Sequence, residues 1–482
     1  MRVLYVTQEY APLAAEGGLG LTSRALPAAL QLEQGVEHTL VMPYYTRQMA
    51  AAGTRTVQVD HLPAVTIGGR TCSATVHRLI DDPGPCEVLA IRADDWYDRD
   101  GIYRDVEYVE YADAVPRAAF FGWCVATWLQ RSGQRFDIVH ANDWQSGAAI
   151  AHLRRLRVGA APRLLMNVHS GVYHGTVAPA EVSGLGLDAQ DAELVGRDGE
   201  PSLLLLGLQA ADATVTCSPT YAQELCRTLA HHPIGRRLTE LGIRGIISGV
   251  DTRVWDPAAA GRATEPYDAP TVETGKAVNK RRLQLGLGLH EDPLTPVFGV
   301  CSRLVEEKGS DLLIEVFRRF AGPDRAQLVV VGQSEETFRR GLTELARDMP
   351  AAVHYGPHFD QDLAWLVYAG SDFTVMPSRV EPCGLNQLIA MAYGTIPVVS
   401  RVGGLKDTVA DVRDDPSVGS GFVLGDISAV DLAETVSHAA AWLLAAPDEV
   451  RAVRQRCMAS DWSWSSTAIG FAKLYAELAP AG

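Results

Sequence analysis

Short apolar runs alternate with amphipathic stretches along most of the chain. The runs predict strands at Arg2–Thr7, His38–Met42, Cys86–Arg92, Asp137–His140, Leu164–His169 and Ala213–Cys217. Helical spacing follows the glycine-rich loop after the first run and continues through Leu30; it returns over Tyr111–Gln130 and Gln145–Arg157. Residues 55–80 read instead as a hairpin-like pair of strands. Strands apolar throughout and separated by helices predict a parallel sheet covered on both faces. Over Asp251–Val278 the pattern lapses into a Pro-, Ala- and Thr-rich stretch, read as the join between two domains. It restarts with strands at Val297–Cys301, Gln327–Val331, Phe373–Met376 and Ile396–Val399. Helices are predicted at Ser310–Phe320, Glu335–Arg347, Leu385–Tyr393, Leu405–Ala410, Ala429–Leu444 and Thr467–Leu478. The fold class is therefore α/β: two doubly wound parallel-sheet domains, 1–250 and 251–460, followed by a helical segment 461–482. Ligands are expected at the carboxyl ends of the strands, in the cleft between domains.

A chain of 482 residues exceeds what one ordinary core holds, in keeping with two domains. Its 47% hydrophobic and 21% charged residues are those of a soluble globular protein. A net charge of −15 argues against a general nucleic-acid or anionic-membrane surface, so an anionic substrate needs local cations. The eight cysteines form no C-x-x-C pair and no metal-ligand spacing, which fits buried thiols in a reducing cytoplasm. The first residues run directly into a strand without a signal-peptide core, and no apolar run approaches the ~18 residues of a membrane span.

The chemistry is expected where strands end. Phe373–Met376 runs into Ser378-Arg379-Val380-Glu381-Pro382-Cys383-Gly384-Leu385-Asn386-Gln387, and a helix leaves it. An acid beside free N–H groups at a helix start suits sugar hydroxyls and phosphate oxygens. Read alone, the turn is equally a structural corner with a solvated glutamate. Arg303 and Lys308 flank a second strand–loop–helix junction and suit a diphosphate, though beside Glu306 and Glu307 they also read as solvated charges. His169 ends a strand, where a lone histidine is structural or part of a site. Gly403-Gly404 before a helix allows close backbone approach to a ligand or simply makes a turn.

Together these residues resemble the glycogen and starch synthase family (family 5 type) of retaining GT-B glycosyltransferases. The likeness is carried by Gly17–Leu19, HANDW at His140–Trp144, Ser218–Glu224, Asn279–Gln284, SRLVEEKGSDLL at Ser302–Leu313, EPCGLNQLIAM at Glu381–Met391, YGTIPVV, GGLKDT and the terminal DWSW. The resemblance implies two Rossmann-like domains, a first on the acceptor side and a second holding the nucleotide donor, with the last helix packing back on the first. It implies that Arg303 and Lys308 hold the donor diphosphate and that Glu381 binds a ring hydroxyl. His169 would contact the donor near its reacting centre. Further donor contacts fall on Gly17, Gly18, Cys383, Gly384, Leu385, Gly403, Gly404, Asp407 and Thr408, with Phe359, or else Tyr355, against the base. Glu9, Glu16, Tyr103, Asp143, Gln145 and Ser170 fall on the acceptor side. No metal and no cofactor are implied, since cations from Arg and Lys balance the leaving group.

The departures cluster in the first domain. Where the family reads Lys-Thr-Gly-Gly-Leu-x-Asp, this chain has Ala15-Glu16-Gly17-Gly18-Leu19-Gly20-Leu21. Gln145, Ser170 and Ser248 replace a histidine and two asparagines of the family pattern. These changes lead to the expectation of a retaining, cytoplasmic transferase that uses a nucleotide-activated sugar or sugar-like cyclitol. Its acceptor is expected to be a specialised small sugar or aminosugar, as in a pseudo-glycosyltransferase of acarbose-type biosynthesis forming a C–N bond near Glu16. An ordinary glycogen synthase elongating an α-1,4-glucan from ADP-glucose is the alternative, and a silent sugar-nucleotide-binding protein is the reading from another class. Oligomeric state is not legible.

Overall fold

The computed structural model describes the chain except residues 83, 108, 157–160, 188–190, 194–200, 260–263 and 480–482. Arg157 at the end of one predicted helix, and 260–263 within the predicted join, lie outside the described residues. The chain forms two compact units, Met1–Gly249 with Trp464–Gly482, and Val250–Ser463.

The first unit is built on nine strands: β1 (Arg2–Val6), β2 (Glu37–Pro43), β3 (Thr56–Ile67), β4 (Arg70–Leu79), β5 (Glu87–Arg92), β6 (Ile138–Asn142), β7 (Arg163–Val168), β8 (Ala213–Thr216) and β9 (Arg244–Gly245). Their order is β3-β4-β5-β2-β1-β6-β7-β8-β9. β3 and β4 are the antiparallel hairpin and pair antiparallel to β5; every other pairing is parallel. β1, β6 and β7 are neighbours in the sheet, buried through mostly apolar residues with His140, Asn142 and Asn167 among them, and their carboxyl ends bring Glu9, Asp143 and His169 to one edge. The helix Trp464–Leu478 packs on the helix Gly18–Gln34 within this unit. Tyr475 Oη lies 2.6 Å from His140 Nδ1, and Phe471 stacks on the same ring. Burial drives His140 well below the usual imidazole range, so it is neutral and belongs to the core.

The second unit holds six parallel strands: β10 (Val297–Cys301), β11 (Gln327–Val331), β12 (Val353–Gly356), β13 (Phe373–Met376), β14 (Ile396–Val399) and β15 (Phe422–Val423), in the order β12-β11-β10-β13-β14-β15. Side-chain caps start its helices: Asp360 accepts from Leu363 N–H at 2.8 Å, and Ser428 accepts from Asp431 N–H at 3.2 Å. The structure corrects the expected join. Its last seven residues, from Val272, open the helix Val272–Gly286. The buried face of that helix is largely polar, with Lys276, Asn279, Lys280 and Gln284 all inside, so apolar periodicity does not register it. Lys280 Nζ binds Asp372 Oδ2 at 2.8 Å, and Arg454 Nη2 binds Asp372 Oδ1 at 2.9 Å, at the amino end of β13. Burial works against this carboxylate, but the two cations hold it below the usual range. No helix among the described residues is long and apolar enough to cross a membrane.

Candidate functional site

In the first unit two hydrogen-bond networks form at the strand ends. Glu9 follows β1 and is buried; its Oε2 accepts from the N–H groups of Glu16 at 2.9 Å and Gly17 at 3.0 Å, and its Oε1 accepts from Tyr103 Oη at 2.8 Å. Burial raises its pKa, with these donors pulling the other way. Glu16 closes the ring: its Oε1 accepts from Ile102 N–H at 2.9 Å and Tyr103 N–H at 3.4 Å. Two acids and a tyrosine thus tie the glycine-rich loop to Gly101–Tyr103. Ala15, Gly17, Gly18 and Leu21 are exposed beside them, and Gly18 begins the helix.

The second network lies at β6 and β7. Asp143 is the only described non-glycine residue with positive φ, at 54°, a backbone conformation tolerated where surrounding contacts enforce it. Its Oδ1 accepts from His169 N–H at 2.7 Å and Ser170 N–H at 3.3 Å, and burial pushes its pKa up to about 7. Asn142 Nδ2 donates to Val6 C=O at 2.9 Å, which leaves its Oδ1 to accept from His169 Nε2 at 2.9 Å. His169 is therefore the Nε2–H tautomer, and Cys217 Sγ donates to its Nδ1 at 3.4 Å. Burial lowers this imidazole to about 4. Both ring nitrogens are engaged within the protein, so the ring presents no free donor to a ligand. Ser170 Oγ accepts from Val172 N–H at 3.3 Å, and Gln145 sits half-buried in the short turn Trp144–Ser146.

In the second unit, Cys301, Ser302, Lys308, Ser378, Glu381, Gly384, Leu385 and Asn386 line one pocket at the ends of β10 and β13. Glu381 is 5% exposed, and Lys308 Nζ lies 2.7 Å from each of its oxygens. Ser378 Oγ donates to Oε2 at 3.0 Å. Backbone contacts hold the two loops together: Arg379 N–H donates to Glu307 C=O at 2.7 Å, and the Arg379 guanidinium clamps Asp311 at 2.7 and 2.6 Å. Arg303 is exposed and forms no ion pair with any described residue.

Gly403 and Gly404 make a close backbone approach within the protein itself. Their Cα atoms lie on the backbone of the Glu381–Cys383 turn; a Cβ on Gly403, at φ 41°, would collide with Glu381 C=O, and one on Gly404 with Cys383 C=O. Gly404 N–H donates to Glu381 C=O at 3.1 Å. These glycines therefore brace the Glu381 turn from behind. Thr408 Oγ1 donates to Gly404 C=O at 2.6 Å, and Asp407 is half-buried on the same short helix. Phe359 stands 59% exposed beyond the end of β12, whereas Tyr355 Oη is bonded to Ser334 Oγ at 2.6 Å. Sequence reasoning missed Ser378, Asn142, Cys217 and Gln387. Gln387 stands just before the apolar run Leu388–Met391, where a single amide gives no periodic signal.

Residues 2–240 match the family described as starch synthase catalytic domain, and 290–441 match glycosyl transferases group 1. The chain is 34% identical over 485 residues to a glycogen synthase of Syntrophotalea carbinolica, covering 98% of each. It is 35% identical over 490 residues to a glycogen synthase of Paracidovorax citrulli, covering 98% of this chain and 94% of that one. Among solved structures it resembles the catalytic domain of starch synthase IV from Arabidopsis thaliana bound to ADP and acarbose, with a TM-score of 0.86, 25% identity and 99% of each chain covered. The parallel sheets, the motif order and this full-length likeness agree: the chain belongs to the glycogen and starch synthase family of GT-B glycosyltransferases.

Proposed function

We propose that the protein transfers glucose from ADP-glucose to the end of an α-glucan with retention of anomeric configuration. The observation that carries this is the second unit's pocket, lined by Lys308, Glu381, Gly384 and Leu385, where the Lys308 ammonium meets the Glu381 carboxylate, with Arg303 exposed beyond β10. In the reaction the C1–O bond to the diphosphate breaks and its electron pair leaves on the phosphate oxygen. Arg303 and Lys308 neutralise that charge, so no metal is required of the site. The acceptor hydroxyl attacks C1 from the face the diphosphate leaves, and its proton passes to the departing phosphate oxygen. Glu381 accepts from a donor hydroxyl once Lys308 has turned to the phosphates. His169, neutral and tied to Asn142 and Cys217, shapes the wall of the acceptor side without exchanging a proton.

Likeness to proteins named glycogen synthase across 98% of both chains favours a glucan acceptor over a small specialised one. Glu16 adds to this, because one of its carboxylate oxygens already serves two backbone N–H groups. What still favours a narrowed acceptor is the exposed Ala15 and Leu21 on the glycine-rich loop, where the family pattern has a lysine and an aspartate. Incubation with labelled ADP-glucose and glycogen tests the reading. Label in the glucan, abolished by Lys308→Ala, is expected. No incorporation from ADP-, UDP- or GDP-glucose would overturn it, and transfer to an aminosugar alone would establish the small-acceptor reading.

A further inference from the structure

Beneath the Glu381 turn lies a residue to which none of the roles above falls. Gln387 is fully buried and is not among the residues that line the pocket. Its Nε2 donates to Cys383 C=O at 3.0 Å and Gly384 C=O at 2.9 Å, and lies 3.2 Å from Thr408 Oγ1. Thr408 is fixed in turn by its bond to Gly404 C=O. In a trans peptide the C=O of one residue and the N–H of the next point in opposite directions. Drawing the Cys383 and Gly384 carbonyls down onto one amide therefore turns the N–H groups of Gly384 and Leu385 outward. Both residues line the pocket, and neither N–H donates to any described group.

The environment shows that this amide is present for its donors. No described group meets Gln387 Oε1, although that atom is buried. Leaving a buried carbonyl unpaired costs its desolvation, which an apolar side chain of the same size would avoid. Gly384, at φ 73°, is also required by the amide, because a Cβ there would collide with Gln387 Oε1.

We infer that Gln387 is a positioning residue that aims the Gly384 and Leu385 N–H groups into the donor pocket, where they take oxygen atoms of the nucleotide sugar. The inference rests on the nucleotide-sugar reading for the identity of the ligand; the orientation of the two peptides does not. Gln387→Met keeps the volume and removes both donors. It is expected to lower ADP-glucose affinity by calorimetry, and kcat/KM, at least tenfold. Gln387→Glu covers the case in which the Met variant fails to fold. Its acid donates only when protonated, so its activity relative to wild type should climb as pH falls. Affinity and kcat/KM within twofold of wild type in the Met variant, or a pH-independent ratio in the Glu variant, would overturn the inference. The crystal structure of the unliganded Met variant separates this from failure of the transferase reading. The Cys383 and Gly384 carbonyls should swing away from the new side chain; unmoved carbonyls overturn the inference even where no donor binds.

Discussion

Lys308 and Arg303 carry the same formal charge in different settings, and this separates their effects on mutation. Arg303→Ala removes an exposed group that forms no ion pair with a described residue, so the melting temperature should hold while turnover falls by about 2.7–4 kcal/mol of barrier, roughly 100- to 1000-fold. Lys308→Ala should cost similar activity but also strand the buried Glu381 carboxylate, leaving Ser378 as its remaining partner. Its melting temperature should drop by a few degrees and recover in Lys308→Ala/Glu381→Gln with no return of activity. Equal melting temperatures for the two single variants would contradict the ion pair's role. Asp143 offers a second residue-scale test. Its pKa of about 7 lies above the roughly 3.9 of an unfolded aspartate, so between those values the folded chain keeps a proton the unfolded chain has lost. Its contribution is complete below about pH 4 and disappears as pH rises towards 7. His169, lowered to about 4, runs the other way, losing stability as pH falls below about 6.5. The difference between wild type and Asp143→Asn isolates the aspartate, since asparagine still accepts from His169 and Ser170 N–H. Urea melts from pH 4 to 7 should show the variant gaining on wild type by up to about 1.4 kcal/mol per pH unit; parallel curves would rule the shift out.

The elements that sequence reasoning captured are those whose burial is apolar. β1, β10, β11, β13 and β14 are nearly unbroken runs of buried apolar residues, and pattern alone places them. Val272–Gly286 eluded it because its inward face is held by ion pairs and amides. That makes a prediction at this scale: Lys280→Ala should destabilise the second unit by about 3–5 kcal/mol by leaving Asp372 half-paired in the core. Activity per folded molecule should stay within a small factor of wild type, since Asp372 precedes β13 and the pocket follows it. A soluble variant of normal stability would refute the clamp. The site shows the same division. Glu381, Lys308 and the glycine pairs were legible because strand–turn–helix junctions announce themselves in sequence. Ser378 and Gln387 were not, because one hydroxyl and one amide carry no period. The close approach of Gly403 and Gly404 was legible, but not that the backbone of the Glu381 turn lies against them.

At the scale of the whole molecule, the first unit is made from two separated pieces of chain. Tyr475 and Phe471 cover His140 at the heart of the nine-stranded sheet, so stopping the chain before Trp464 should expose that core. Such a truncation should melt in two steps, with the first unit failing early and the second near its normal temperature. A single unchanged transition would show the helix to be dispensable. The same arrangement has a bearing on how the protein is made. A ribosome delivers every residue of the second unit before it delivers the helix that completes the first, reversing the usual amino-terminal-first order of domain folding. Protease treatment of stalled nascent chains released at residue 463 should therefore find the later-encoded unit resistant and the earlier one still open. Of the two units, the one whose synthesis starts first is the last to become a finished object.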